Sequence, residues 1–175
     1  MKTDLSDKLL SMCATEEAWD ILSEEFDWTE SLLERYQDKL NWKSISENSR
    51  IKWNWAMLDK FKERLHWDIL SKEIHSEQIT SEILDKFKDR WDWYQLSANW
   101  HLNLTCEIID KYAELWDWEA LTGHRFTSNL YETDPIGFYE RYKKHIPKYI
   151  LKESCLWDSI VDVHKEQLIS EITAQ

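Results

Sequence analysis

Apolar residues recur along this chain at one spacing. Around a central aromatic residue they stand at −4, −3, 0 and +4, as Leu32, Leu33, Tyr36, Leu40, then Met57, Leu58, Phe61, Leu65, then Ile83, Leu84, Phe87, Trp91. Two more instances follow, Ile108, Ile109, Tyr112, Trp116 and Phe138, Tyr139, Tyr142, Ile146. This spacing draws one stripe along an amphipathic helix. Seven residues before the aromatic comes Thr29, Asn54, Thr80 or Thr105, whose side-chain oxygen suits an N-cap. In the fifth instance Asp134 takes that role, with Pro135 at the first helical position. Five residues after the aromatic come Asn41, His66, Asp92, Asp117 and Pro147, three of them strong cap types. Each unit is therefore expected to be a helix of about a dozen residues, a tight turn, and a second, short helix.

The short helix carries a word of its own: a Trp, two residues, an aliphatic residue, then Ser or Thr. It reads Trp19-Asp-Ile-Leu-Ser23, Trp42-Lys-Ser-Ile-Ser46, Trp67-Asp-Ile-Leu-Ser71, Trp93-Tyr-Gln-Leu-Ser97 and Trp118-Glu-Ala-Leu-Thr122, with steps of 23, 25, 26 and 25 residues between tryptophans. A period of that length predicts stacked repeats that bury their apolar faces against their neighbours. The expected fold is all-α, an α-solenoid of about six helix-turn-helix repeats of roughly 25 residues with capping helices. Residues 1–175 then form one repeat domain, with an N-terminal cap at 1–18, repeats at 19–151 and a C-terminal cap at 152–175. The sixth unit is degenerate, Lys148-Tyr-Ile-Leu151, followed by a last helix near Leu156 to Ile172.

Composition narrows the field further. Two glycines and two prolines in 175 residues fall far below the usual shares of about 7% and 5%, which disfavours a β architecture rich in turns. No run of eighteen apolar residues and no basic-then-apolar opening occurs, so neither a membrane span nor a secretion leader is expected. Cys13, Cys106 and Cys155 are far apart and odd in number, which suggests no disulfide framework or zinc site and a reducing cytoplasm.

The formal net charge is −12 and is concentrated at the ends. Residues 1–34 hold ten acidic side chains against two lysines, residues 153–175 five against one, and the segment between is neutral. Such a field disfavours direct nucleic-acid binding and favours a basic protein partner, although an acidic surface also serves plain solubility. The acids expected to meet a partner are Glu16, Glu17, Glu24 and Glu25. The basic run Arg141, Lys143, Lys144, His145, Lys148 and Lys152 reads as a solvated helix face in preference to a phosphate contact.

Of twelve tryptophans, Trp42, Trp67, Trp93 and Trp118 sit at the repeated position and read as core. Trp28, Trp53, Trp55 and Trp100 fall on neither stripe. They either fill gaps between loops and helices or form aromatic anchors of a binding face, Trp53 and Trp55 beside Arg50 and Lys52 being the best local candidate. No Gly-rich phosphate loop, Gly-x-Ser-x-Gly or His-Glu-x-x-His word occurs, and the histidines stand singly. No enzyme, cofactor or metal is expected.

The words Trp91-Asp-Trp93-Tyr-Gln-Leu-Ser97-Ala-Asn99 and Trp116-Asp-Trp118-Glu-Ala-Leu-Thr122, over about residues 19–151, resemble the tandem Trp-Asp-Trp-x-x-Leu-Ser repeat proteins of Bacteroidetes-type bacteria, their phages and large DNA viruses. The resemblance implies a repeat fold and carries no catalytic motif. Lys148 departs from it where Trp is the pattern, as does an insertion between Gly123 and Gly137, the place where a unit-specific function would be expected. A looser likeness of character, to small acidic proteins of mobile elements, implies an inhibitor of anti-CRISPR or other anti-defence type. The expected function is thus a non-enzymatic protein-binding α-solenoid that inhibits or regulates a basic nucleic-acid-handling protein, such as a nucleic-acid-guided nuclease. The alternatives are a structural or assembly scaffold, and an aromatic groove in which Trp53, Trp55 and Trp100 stack on a nucleotide or single strand.

Overall fold

The computed structural model describes residues 3–123 and 131–174, and among them there are twelve α-helices and no strand. They pack as two compact units, Met1–Trp91 and Asp92–Gln175. The first unit holds α1 (Thr3–Glu25), α2 (Glu30–Tyr36), α3 (Trp42–Glu47), α4 (Trp55–Phe61), α5 (Trp67–Glu73), a 3-10 turn at Ser76–Gln78, and α6 (Ser81–Lys86). The second holds α7 (Trp93–Ala98), α8 (Cys106–Lys111), α9 (Trp118–Gly123), α10 (Pro135–Tyr142), α11 (Lys148–Lys152) and α12 (Cys155–Thr173). In the first unit α3 packs on both α1 and α5; in the second α9 packs on α7, α11 and α12.

Most of the anticipated caps form. Asn54, Thr80, Thr105 and Asp134 accept from the N–H of Met57, Ile83, Ile108 and Gly137, and Asn41, Asp92 and Asp117 cap the short helices in the same way. Thr29 is the exception, its hydroxyl pairing with Ser31 Oγ at 3.2 Å. At Gly137 the Asp134 carboxylate lies so close that a Cβ would meet Oδ2 at 2.0 Å, so a larger residue there would require the carboxylate to turn aside. Residues 124–130 of the insertion lie outside the described residues. At its far side Tyr131 is buried against the Phe138 ring, centroids 5.5 Å apart.

The first helix of each unit is shorter than the dozen residues expected, running six to eight. The word itself breaks it. In a continuing helix the N–H of Asn41 would bond the carbonyl of Gln37. Instead Asn41 N–H donates to Ser23 Oγ at 3.1 Å, and the Gln37 carbonyl accepts from the Trp42 indole N–H at 2.9 Å. The same exchange occurs at His66, where the backbone N–H donates to Ser46 Oγ (2.9 Å) and the Lys62 carbonyl takes the Trp67 indole (2.9 Å). It occurs again at Asp117, through Ser97 Oγ (2.9 Å) and Trp118 to the Ala113 carbonyl (3.0 Å). Arg64 and Arg90 each add a guanidinium N–H, 3.1 Å from the Gln37 and Lys62 carbonyls.

The hydroxyl of the word also donates within its own helix, to the Trp carbonyl four residues back. The distances are 2.6–2.7 Å for Ser23, Ser46, Ser71, Ser97 and Thr122, all of them buried. Above this hydroxyl the Trp ring lies against the central aromatic of the following helix. Trp19–Tyr36, Trp42–Phe61, Trp67–Phe87, Trp93–Tyr112 and Trp118–Tyr142 have centroids 5.1–5.4 Å apart and planes tilted by 34–40°. Trp91 and Trp116 bury an indole N–H without an oxygen partner. Each stands perpendicular to a word tryptophan, Trp67 or Trp93, in an edge-to-face contact that offsets part of that cost.

The N-terminal cap and the first word, expected as separate pieces, form one continuous helix, since no glycine or proline interrupts Thr3–Glu25. No helix among the described residues is long and apolar enough to cross a membrane.

The buried hydroxyl generates a stability prediction. Ser46→Ala leaves the His66 N–H without its acceptor and should lower unfolding free energy by about 1–3 kcal/mol in urea denaturation. Ser46→Thr should cost less, because Thr122 makes the same bond at the same position of its word. Equal stability of the alanine variant would remove the hydroxyl from this account.

Candidate functional site

The acid-rich stretch of α1 is held by its C-terminal end. Of the carbonyls there, Leu22 accepts from the Trp28 indole (2.8 Å), Ser23 and Phe26 from Asn48 Nδ2 (3.0 and 2.9 Å), and Glu25 from the Arg50 guanidinium (2.6 Å). Arg50 thus caps a helix that would otherwise end in orphan carbonyls. Asn48, buried, turns its Oδ1 to the Arg50 N–H at 2.9 Å and fixes that residue's approach. From this anchor α1 runs back so that residues 11–18 are all exposed.

Glu16, Glu17, Glu24 and Glu25 are exposed, and none makes an ion pair among the described residues. Glu16, Asp20 and Glu24 step at i, i+4 and i+8 along one side, Glu17 lies beside them, and Glu25 points further round. Glu16 and Asp20 border a shallow cleft of about 530 Å³, together with Trp19, Asp38 and Lys39. The Lys39 ammonium sits 5.2 Å from the centroid of the Trp19 ring, a cation already resting on this aromatic surface. Asp20 and Asp38 were missed in the sequence; the i+4 step from Glu16 was the cue for the first. Each also serves the fold, Asp20 accepting from Asn41 Nδ2 at 3.0 Å and Asp38 pairing with Arg64 at 3.0 Å.

Several cations elsewhere in the chain link neighbouring helices. In the first unit Lys60 pairs with Glu30 and Glu34, Lys86 with Asp59, and Arg90 with Glu63. In the second unit part of the basic run is engaged: Arg141 with Asp110, Lys144 with Glu114, and Lys143 with Glu140 three residues before it. His145 stacks on Trp118, planes within 10°. Exposed pairs of this kind contribute at most about 1 kcal/mol each, yet they neutralise the surface between the acidic ends.

The off-register tryptophans divide evenly. Trp28 and Trp53 are buried, whereas Trp55 and Trp100 are 47% and 58% exposed. Lys86 Nζ stands 4.0 Å from the Trp55 centroid, and Trp100 lies on the His101 ring at 3.6 Å. Trp53 therefore offers its ring to the core and not to a docking or stacking ligand. In the second unit a cleft of about 410 Å³ is bordered by Tyr94, Asp117, Glu119, Tyr149 and Glu153, and carries no basic side chain among its lining residues. Cys13 is exposed, Cys106 and Cys155 half-buried, and all three are free thiols. Among the described residues no three His, Cys, Asp or Glu side chains converge as metal ligands.

No protein-family model matches the chain, and neither a curated protein nor a solved structure does. The residues themselves define an all-α, tryptophan-rich protein whose surface chemistry is acidic at α1.

The most perturbed ionisable cluster lies in the second unit. A hydrogen bond from Arg141, opposed by partial burial and joined by one from the Tyr142 hydroxyl (2.9 Å), holds the Asp110 carboxyl below its ordinary 3.8. Burial, and then the bond to Asp110, push the Tyr142 phenol up. A carboxyl with a depressed folded-state value contributes stability above its unfolded value near 3.8 and loses it as pH falls through the lower, folded one. Asp110→Asn should therefore cost about 1 kcal/mol at pH 7 and less at about pH 3, below the unfolded value. Denaturation curves of both proteins at the two pH values check this, and an unchanged difference would mean that the charge of Asp110 has no part.

Proposed function

We propose that this chain is a non-enzymatic α-solenoid that binds a basic protein and, by covering its basic surface, inhibits or regulates it. The partner's chemistry is that of a nucleic-acid-handling protein, since such proteins carry the basic surfaces that an array of carboxylates complements. The repeat reading is supported within each unit by the serial packing of the word helices, α1 on α3 on α5 and α7 on α9 on α11. The likeness to tandem Trp-Asp-Trp-x-x-Leu-Ser repeat proteins is part of the same reading. The observation that carries the binding reading is the contrast in charge pairing. Lys60, Lys86, Arg90 and Arg141 pair with carboxylates of an adjoining repeat, while Glu16, Glu17, Glu24 and Glu25 stand exposed without counterions.

Affinity capture from the native host, washed at low and high salt, should return one basic protein that salt releases. Against that partner, reversing the four glutamates to lysine should slow association by about tenfold or more at low ionic strength, and the difference should shrink as salt is added. An unchanged association rate would sink the electrostatic reading. Capture of the chain itself or of structural proteins alone would favour a scaffold instead.

A further inference from the structure

α12 carries two apolar faces. Successive residues of an α-helix are set about 100° apart, which places Leu156, Ile160 and Val163 on one side and Val161, Leu168, Ile169 and Ile172 roughly opposite. The first side is spent: Leu156 and Ile160 are buried, and the start of α12 packs on α9, α10 and α11. Its N-terminus is fixed by Ser154, which accepts from the Trp157 N–H at 3.2 Å. The second side is bare, Val161, Leu168, Ile169 and Ile172 being 45%, 56%, 45% and 71% exposed. From His164 to Ala174 every side chain of the segment is exposed, so these turns extend away from the packing that supports them.

Nothing in the fold of the second unit accounts for these four residues. Valine and isoleucine are mediocre helix formers, and exposing four large aliphatic side chains on one face costs solvation free energy without any packing return. Acids border the face, Asp162 and Glu166 along one edge and Glu171 along the other. Lys165, within it, already leans to Asp162 at 3.6 Å. The helix as a whole holds four acidic residues and one lysine.

We propose that the outer face of α12 is a docking site for an amphipathic helix of another protein, one with an apolar stripe flanked by lysine or arginine. Charge complementarity selects this occupant. A second copy of the chain would bring two acid-edged faces together, and like charges across such a contact are repulsive, whereas a basic-edged helix would pair with Asp162, Glu166 and Glu171 while covering Leu168 and Ile172. The surface is distinct from the α1 carboxylates and does not depend on them.

Two synthetic helical peptides test the site by fluorescence anisotropy with the full chain. Both carry leucines at i, i+3, i+4 and i+7; one is flanked by lysines and the other by glutamates. The lysine peptide should bind, added salt should weaken it, and Leu168→Glu with Ile172→Glu should reduce its affinity by about tenfold or more. Both positions are exposed, so circular dichroism of the double variant should match the parent. Reversing the charges of Glu16, Glu17, Glu24 and Glu25 should leave peptide binding unchanged, which separates this site from the α1 surface. Equal binding of the glutamate peptide, undiminished binding by the double variant, or no binding of the lysine peptide would overturn the proposal. So would concentration-dependent self-association in sedimentation experiments that Ile172→Glu abolishes, since the occupant would then be a second copy.

Discussion

The hydroxyl at the end of each Trp-x-x-aliphatic-Ser word is the bond on which the rest of the structure depends. It donates to the carbonyl of its own Trp, and in three places it is observed to accept the N–H that begins the next short helix. A side chain with one donor and two acceptor sites is suited to this double duty, and in a buried setting leaving either partner bare would be costly. The tryptophan completes the exchange by giving its indole N–H to the carbonyl that the broken helix has left free. Two otherwise orphaned backbone groups are satisfied by one word, which is why Trp and Ser recur together.

Because the hydrogen-bonding ends of the word face the backbone, the rest of the indole is free to pack. The same tilted contact with the next central aromatic appears five times at nearly constant distance. This regularity matters for function through what it leaves over. Many polar bonds of the repeats link neighbouring helices, and two exposed surfaces lie outside that network: the carboxylates of α1 and the bare aliphatic face of α12.

Local features of the fold were legible in the sequence. Cap residues and stripes act over a few residues, and nearly all of the caps formed where the spacing put them. Helix length was not legible in the same way, because the break at Asn41 is made by Ser23, eighteen positions upstream, and by an indole that reaches back to Gln37. The candidate site was legible in part. The exposed glutamates of α1 follow from composition, but Arg50, which reads as a companion to tryptophan anchors, is consumed in capping α1. Trp53 and Trp55 look alike in sequence and part company because Asn54 begins a helix between them, turning one ring inward and the other out. The outer face of α12 was present in the spacing of its aliphatic residues, yet a helix read only as a cap gives no reason to look for two faces.

The serine bridges also impose a direction in time. Each hydroxyl belongs to an earlier word, and the N–H it receives comes from residues eighteen to twenty positions later. During synthesis the acceptor therefore leaves the ribosome before its donor, and each of these three turns emerges after the hydroxyl that will hold it. A chain built in this way can assemble progressively during synthesis, each word helix preparing the acceptor for the turn that follows it.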